Sequence, residues 1–287
     1  MRVLVTGAGG QLGRELAAAL RAHETVMLPH ESLDVSDQAA VEGVVSSAAP
    51  DAIVHAAAWT DVDACEIDPE RARLINVDGT QNVVRAAREA LVVIVSTDYV
   101  FDGTLGQAYV ETDEPNPLQV YGRTKLEGEE AARAQSGRVA VVRTAWLYGA
   151  RTGAGDPARN FVASILAASA RGPLDVVDDQ VGSPTSTHDL ARALVAVLEA
   201  GAGGVFHGVN SGAVSRYEFA RAIVSGCGRD PSLVRAVKTS EAPARPAARP
   251  AYAPLEGRAW REAGFEPLAP WDDALARALP EFLETTG

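Results

Sequence analysis

The glycine-rich turn near the start of the chain constrains the fold more than any other feature. Residues 2–6 form a strand-like, mostly apolar run, Thr6–Gly13 is the turn, and residues 14–22 show a helical pattern. The glycines are spaced Gly7-x-x-Gly10-x-x-Gly13. Between a strand and a helix, such glycines let backbone amides approach a pyrophosphate, and the helix N-terminus adds a partial positive charge. The turn therefore predicts a dinucleotide-binding site, with a merely tight turn as the alternative.

Strand-like and helical segments alternate after this turn. Further strands are predicted at residues 25–28, 51–58, 91–95, 138–144 and 204–208. Continuous apolar runs separated by helices are typical of buried parallel strands, so we predict an α/β fold with a doubly wound (Rossmann-type) parallel sheet and a smaller C-terminal substrate domain. Residues 1–150 should form the dinucleotide-binding domain, with 186–212 returning to it, and 151–185 and 213–287 should form the substrate domain.

Composition excludes several classes of protein. The 287 residues carry a formal net charge of -12, which argues against nucleic-acid and anionic-membrane partners. There is no apolar run of membrane-spanning length, and a strand-like run follows Met1-Arg2 directly, so we expect a cytoplasmic protein without a signal peptide. Cys65 and Cys227 are the only cysteines, and neither a disulfide framework nor a metal-ligand spacing is present.

The pair Tyr121-x-x-x-Lys125 is the strongest candidate for chemistry. If the segment is helical, the two side chains share one face. A phenol has an ordinary pKa of about 10, and a neighbouring cation lowers it. The pair could therefore act as a general acid that protonates a carbonyl oxygen while hydride reaches the carbon. Taken alone, the same spacing also fits a surface helix with a solvated lysine.

Two further segments suggest ligand contacts. Ser96–Phe101 follows a buried strand with hydroxyls and a carboxylate, at the strand end where α/β folds bind ligands, although it could simply cap the strand. Residues 243–254 are rich in proline and carry Arg245 and Arg249. This segment is either a surface linker or an ordered loop that presents guanidiniums to an anion.

The end of the second predicted strand bears on cofactor choice. It reads Pro29-His30, where an NAD-preferring site often has an acid for the ribose 2′-hydroxyl. Glu31 is only a neighbour. We therefore predict that NADPH or NADH serves as cofactor, without strict preference for NADH.

Five motifs in order carry a resemblance to a known family. They are Gly7-x-x-Gly10-x-x-Gly13, Asp34-Val35, Ser96–Phe101, Tyr121-x-x-x-Lys125 and Arg143–Trp146. The chain resembles the extended short-chain dehydrogenase/reductases and, more narrowly, the dTDP-4-dehydrorhamnose reductases. The narrower signals are Gly10–Gly13, Ser96–Phe101 and Arg249–Tyr252.

This resemblance implies hydride transfer from C4 of the nicotinamide to C4 of dTDP-4-dehydro-6-deoxy-L-mannose, giving dTDP-L-rhamnose. The alternatives are a reductase of another nucleotide-linked 4-keto-deoxysugar and a non-catalytic regulatory subunit on the same fold. A homodimer is the family expectation.

The resemblance also implies a role for each matching residue. Thr97 would polarise the substrate carbonyl, Tyr121 would donate the proton, and Lys125 would hold the nicotinamide ribose and lower the Tyr121 pKa. Thr97, Asp98 and Trp146 would bind the substrate. The positions at the cofactor are Gly7, Gly10, Gln11, Leu12, Gly13, His30, Asp34, Val35, Ala58, Trp59, Thr60, Tyr121 and Lys125.

Two expectations concern charge. Some relatives hold magnesium between subunits through glutamates; Glu15 is present here, but the corresponding partner region reads Ser186-Thr187-His188, so no metal is predicted. The diphosphate of a nucleotide sugar needs local cations on this acidic chain. Among Arg159, Arg245 and Arg249, we predict Arg249 as the substrate ligand, because neighbouring prolines stiffen its segment.

Overall fold

The chain forms twelve strands and eleven α-helices in the computed structural model, which describes residues 1–286. The strands are β1 (Arg2–Thr6), β2 (Glu24–Leu28), β3 (Ala52–His55), β4 (Leu91–Thr97), β5 (Val139–Thr144), β6 (Leu147–Tyr148), β7 (Leu174–Val177), β8 (Val181–Gly182), β9 (Thr185–Ser186), β10 (Gly204–His207), β11 (Val214–Ser215) and β12 (Val234–Val237). The helices are α1 (Gln11–Ala19), α2 (Gln38–Ala48), α3 (Val62–Ile67), α4 (Pro69–Arg73), α5 (Gly79–Ala87), α6 (Val120–Gln135), α7 (Phe161–Ser169), α8 (Thr187–Ala200), α9 (Arg216–Gly226), α10 (Arg258–Glu262) and α11 (Trp271–Thr286).

Six strands form one parallel sheet in the order β10-β5-β4-β3-β1-β2. The order reverses between β1 and β3, and ligands of such folds bind at the carboxyl ends of the strands beside this reversal. The predicted doubly wound parallel sheet is confirmed. Across residues 1–286, no helix combines the length and apolar composition needed to cross a membrane.

Both faces of the sheet are covered, which explains why its strands are apolar throughout. Alternate side chains of a strand point to opposite faces. Val3 and Val5 of β1 accordingly belong to a core that includes residues of α1 and α8, whereas Leu4 belongs to a second core that includes residues of α2, α5 and α6. This packing places the N-termini of α1 and α6 at the carboxyl edge of the sheet.

A smaller body has its own core, formed by α7, α9 and α11 with β7 and β12. Phe219 and Phe282 are among its fully buried side chains. The parallel pair β7–β12 was not predicted from sequence. Trp260 and Phe265 pack on the large sheet instead, although the sequence analysis grouped them with the rest of residues 213–287.

The helical region between β3 and β4 is interrupted. Asp68 accepts a hydrogen bond from the Arg71 amide and begins α4, and residues Leu74–Asp78 form a π-helical turn before α5. Single π turns inside helices occur frequently at functional sites. Here the turn holds Asn76, which accepts from the Trp59 amide at 2.8 Å and donates to the Thr124 hydroxyl at 3.1 Å. Asn76 thus ties the loop after β3 to α6.

Candidate active site

A cleft of about 1500 Å³ lies at the carboxyl edge of the large sheet, where the loops after β1, β3, β4 and β5 meet the smaller body. All the predicted site residues line it except Gly13. Gly13 lies inside α1, where a β-carbon would collide with the Ala8 backbone. Its absent side chain therefore allows close packing of the helix on the turn, and the expected cofactor contact at Gly13 remains a prediction.

The glycine turn offers an anion-binding helix N-terminus. Gly7 has φ +72°, and a β-carbon there would lie 2.6 Å from the Ala57 amide nitrogen, so only glycine fits. Gly10 precedes α1 and provides no side-chain cap for it. The first amides of a helix need acceptors from outside the helix, and a phosphate group is a suitable one. The turn therefore fits a dinucleotide.

Tyr121 and Lys125 lie one turn apart on α6 and both are buried. The Tyr121 phenol shares a hydrogen bond with the Thr97 side chain at the end of β4. Thr97 Oγ1 in turn donates to Asp98 Oδ1 at 3.1 Å. The sheet and one helix thus bring together two hydroxyls, an ammonium and a carboxyl, all of which line the cleft.

Local contacts explain why α6 begins where it does. The Gln119 side chain accepts a hydrogen bond from the Gly122 amide at 2.6 Å, and Glu66 accepts one from the Val120 amide at 2.8 Å. Gly122 lies against the Tyr99 carbonyl so closely that a β-carbon would overlap it. This glycine sets the distance between Tyr121 and the loop that carries Thr97.

Burial sets the protonation of the reacting groups. Burial raises the pKa of Tyr121, with the Thr97 hydrogen bond acting in the opposite direction. The net shift of the Tyr121 pKa is thus upward, opposite to the direction that a neighbouring cation alone suggests, because burial disfavours the phenolate. Burial lowers the pKa of Lys125 to about 8, opposed by the charge of Glu129. Near neutral pH the site therefore holds a protonated phenol.

Asp98 is also buried, and burial raises its pKa to about 7. The hydrogen bond from Thr97 and the charge of Arg216 both act against this shift. Asp98 can accordingly hold a proton near neutral pH and donate a hydrogen bond to a ligand.

Arg216 is a cleft residue that the sequence analysis missed. Its guanidinium carbon lies 3.5 Å from the centre of the Trp146 ring and 4.8 Å from that of Phe161, and its side chain hydrogen-bonds Tyr99. Trp146 itself adopts φ +45°, an uncommon conformation for a bulky residue. The capping pattern at Ser215 predicts where this helix starts, but no local feature of the sequence shows that the start of the helix faces the cleft.

Arg249 lines the cleft but is already paired. Its Nη1 donates to Asp63 Oδ1 at 2.7 Å and to the Ala247 carbonyl at 2.6 Å, and its Nη2 donates to Asp63 Oδ2 at 3.0 Å. The side chain is 13% exposed. The sequence analysis did not foresee this ion pair, which neutralises much of the charge that a diphosphate would meet.

The predicted adenosine contacts lie at one end of the cleft. His30 and Asp34 are exposed there, and Val35 is buried beneath them. Asp34 Oδ1 accepts from the Ser36 amide and hydroxyl at 2.9 and 2.7 Å, and these bonds lower the pKa of the carboxyl. The Gln11 side chain bonds the Leu147 carbonyl, the Gly149 amide and the Asn160 side-chain amide, so only its backbone amide is left to meet a ligand.

The region considered for a metal contains one short contact. His188 Nδ1 and Glu15 Oε2 lie 3.3 Å apart on the outer surface. Within the part of the chain that the structure describes, no three His, Cys, Asp or Glu side chains converge as a metal site would require.

Comparison with known proteins gives consistent matches over nearly the whole chain. The family model described as the RmlD substrate binding domain matches residues 1–284. A dTDP-4-dehydrorhamnose reductase of Mycobacterium tuberculosis is 44% identical, with 97% of this chain and 92% of that protein covered. A dTDP-4-keto-6-deoxy-D-glucose reductase of Streptomyces niveus is 42% identical, with 97% and 96% covered. A crystal structure of a dTDP-4-dehydrorhamnose reductase from Bacillus anthracis in complex with NADP has a TM-score of 0.91 at 34% identity, covering 98% and 99% of the two chains.

Proposed function

This chain belongs to the RmlD substrate-binding-domain family, and on that premise we propose that it is an NAD(P)H-dependent reductase of a nucleotide sugar. Its reaction is reduction of the C4 carbonyl of dTDP-4-dehydro-6-deoxy-L-mannose to dTDP-L-rhamnose. The observation that supports this most is the hydrogen bond between the Thr97 and Tyr121 hydroxyls, with Lys125 one turn along the same helix, in a cleft that also contains a glycine turn.

When bound, the nicotinamide cofactor supplies the hydride. Thr97 and Tyr121 direct two hydroxyls at the carbonyl oxygen, and Tyr121 delivers the proton as that oxygen gains charge. Burial keeps the phenol protonated until this moment, because it raises the pKa of Tyr121. The Lys125 ammonium then stabilises the phenolate that remains.

The residues of the cleft fit a dinucleotide along its length. The amides of Gly10, Gln11 and Leu12 would meet the pyrophosphate. His30, Asp34 and Val35 would surround the adenosine half, and Ala58, Trp59 and Thr60 would lie along the remainder, with Lys125 at the nicotinamide ribose. The Arg71 guanidinium stacks 4.7 Å from the Trp59 ring centre and stiffens that wall.

The smaller body would bind the sugar nucleotide. Asp98 and Trp146 would face the hexose. We place the diphosphate chiefly at Arg216, whose guanidinium has an aromatic platform and no carboxylate bonded to it among residues 1–286, with Arg249 as a second ligand. Arginine suits this role because its planar fork matches phosphate oxygens.

A second candidate substrate is another nucleotide-linked 4-keto-deoxysugar. The Streptomyces niveus protein, named for a different 4-keto sugar, is nearly as similar to this chain as the Mycobacterium tuberculosis protein. The two candidate sugars would present different stereochemistry to Asp98 and Trp146. The residue types at these positions do not determine which sugar binds.

The test is oxidation of NADPH and NADH against a panel of nucleotide-linked 4-keto sugars, with NMR of the products. We expect the highest kcat/KM with dTDP-4-dehydro-6-deoxy-L-mannose and a dTDP-L-rhamnose product. A higher kcat/KM with another sugar would favour the second candidate. No turnover with any sugar, despite cofactor binding, would favour a non-catalytic regulatory subunit.

A further inference from the structure

A buried ion pair lies directly below the reacting groups. Glu129 follows Lys125 by four residues on α6, and its side chain is 3% exposed. Arg143 of β5 donates to Glu129 Oε2 from Nη2 at 2.7 Å, and its Nε lies 3.2 Å from both carboxylate oxygens. Ser96 of β4, the residue before Thr97, donates its hydroxyl to Glu129 Oε1. The carboxylate is therefore fixed by two strands of the sheet.

Burying an ion pair costs desolvation free energy, so its position beside the reacting groups needs an explanation. Removing two charges from water carries a desolvation penalty that apolar residues of similar volume would avoid. Arg143 Nη1 is buried without a hydrogen-bond partner, so the pair is not even fully satisfied. A purely structural link between α6 and β5 would be better served by apolar packing.

The charge of Glu129 opposes the lowering of the Lys125 pKa by burial. Tyr121, Lys125 and Glu129 are spaced by four residues and share one buried face of α6. His55 of β3 is the other titratable group that interacts with Lys125, and it stays neutral because burial lowers its pKa to about 3. The other ionisable groups that face this helix interact with it away from Lys125. Asp98, Tyr99 and Cys65 affect the pKa of Tyr121, Glu66 accepts a hydrogen bond at the start of the helix, and Arg73 forms an ion pair on its exposed side.

We propose that Glu129 is a positioning residue for the reaction, whose carboxylate, fixed by Arg143 and Ser96 one helical turn from Lys125, keeps the Lys125 side chain protonated under the cofactor. This inference rests on the proposed function in one respect, namely that Lys125 contacts the cofactor. Glu129 touches neither ligand; it acts through Lys125. Without this carboxylate, burial alone would favour the neutral amine within the working pH range.

The sequence permits a direct measurement, because Lys125 and Lys238 are its only lysines. In protein labelled with ¹³C-lysine, the two side chains give two sets of signals, which Lys238→Arg assigns. Titration of the Lys125 Cε shift should give a midpoint near 8 in the wild type. Glu129→Gln should lower that midpoint by about one pH unit or more, as expected for loss of a nearby opposite charge. Lys238, whose Nζ pairs with Asp178 at 2.8 Å on the surface, provides the internal reference.

Two further variants control for stability and for general charge loss. Glu129→Gln leaves Arg143 buried without a counter-charge, so Glu129→Gln/Arg143→Met removes both charges and should shift the midpoint in the same direction by less. Asp189→Asn removes a carboxylate that pairs with Arg277 and lies far from Lys125 in the sequence. This variant should leave the Lys125 midpoint unchanged.

Cofactor binding gives the functional readout. Trp59 and Trp146 line the cleft, so their fluorescence can report NADPH affinity without any sugar. In the wild type, the Kd should rise above about pH 8, and in Glu129→Gln the rise should begin at correspondingly lower pH. A Lys125 midpoint unchanged by Glu129→Gln overturns the proposal and leaves a structural ion pair. A wrong sugar assignment would alter neither measurement.

Discussion

Replacing Arg216 tests where the cleft holds the substrate diphosphate. Arg216 is the first residue of α9, and Ser215 and Glu218 form the capping box that starts the helix. Arg216→Met keeps a long side chain on Trp146 and Phe161 while removing the charge. Methionine is a good helix former, so the helix start should survive.

The expected magnitude follows from the contacts of this guanidinium. Its aromatic platform, 3.5 Å from the Trp146 ring centre, and its hydrogen bond to Tyr99 hold it in one orientation. A hydrogen bond to a charged group contributes roughly 1.5–3 kcal/mol, and 1.4 kcal/mol is a factor of ten. Arg216→Met should therefore raise the sugar-nucleotide KM by about 10- to 150-fold. Arg216→Lys should restore only part of the affinity, since an ammonium lacks the planar fork.

The assay is steady-state cofactor oxidation with the sugar varied at saturating NADPH, together with a separate NADPH binding titration. Arg221→Met is the matched control, because Arg221 is an exposed arginine on the same helix. It should leave both constants unchanged. A sugar KM for Arg216→Met within about threefold of wild type would refute the reasoning and move the diphosphate to Arg249 or Arg159.

Four further outcomes are expected. Tyr121→Phe should lower kcat by about 10²–10⁴-fold with cofactor Kd little changed, and a variant within about threefold of the wild-type rate would remove this phenol from the mechanism. NADPH should support turnover at least as well as NADH; a kcat/KM preference for NADH above about 100-fold would contradict this. Arg249→Ala should raise the sugar KM less than Arg216→Met and should lower Tm, because Asp63 loses its bidentate partner and keeps only Arg245 at 3.6 Å and the Ala247 amide; a larger KM effect would reverse the two assignments. Burial lowers the pKa of His55 to about 3 in the folded protein, whereas the unfolded value is about 6.5. As the pH falls below the unfolded pKa, only the unfolded chain binds the proton, so the free energy of unfolding decreases by up to about 1.4 kcal/mol per pH unit. Urea unfolding between pH 4 and 7 should show a shallower decline for His55→Gln, and parallel curves would count against this.

The sequence predicted what depends on local pattern. Apolar runs and the glycine turn predicted the sheet, and β4 and β5 lie within the predicted segments or overlap them closely. The spacing of Tyr121 and Lys125 placed both on one buried face. These features arise from periodicity and backbone conformation, which neighbouring residues determine.

What the sequence could not predict depends on distant contacts. The partner of Arg249 is Asp63, 186 residues away, and no local pattern relates them. Arg216 reaches the cleft only because the fold brings the start of α9 against Trp146 and Phe161, which are distant in sequence. The direction of the Tyr121 pKa shift requires knowledge of burial, since the neighbouring cation alone suggests the opposite sign.

The side-chain amide of Gln11 has a practical consequence for studying ligand complexes. It bonds Leu147, Gly149 and Asn160 at once, so the first turn of α1 is tied to the segments that lead into the smaller body. A wide separation of the two bodies would break the bond to Asn160, which caps α7 of the smaller body. These bonds oppose such a separation, so crystals grown without ligands should tolerate soaking with both cofactor and sugar nucleotide.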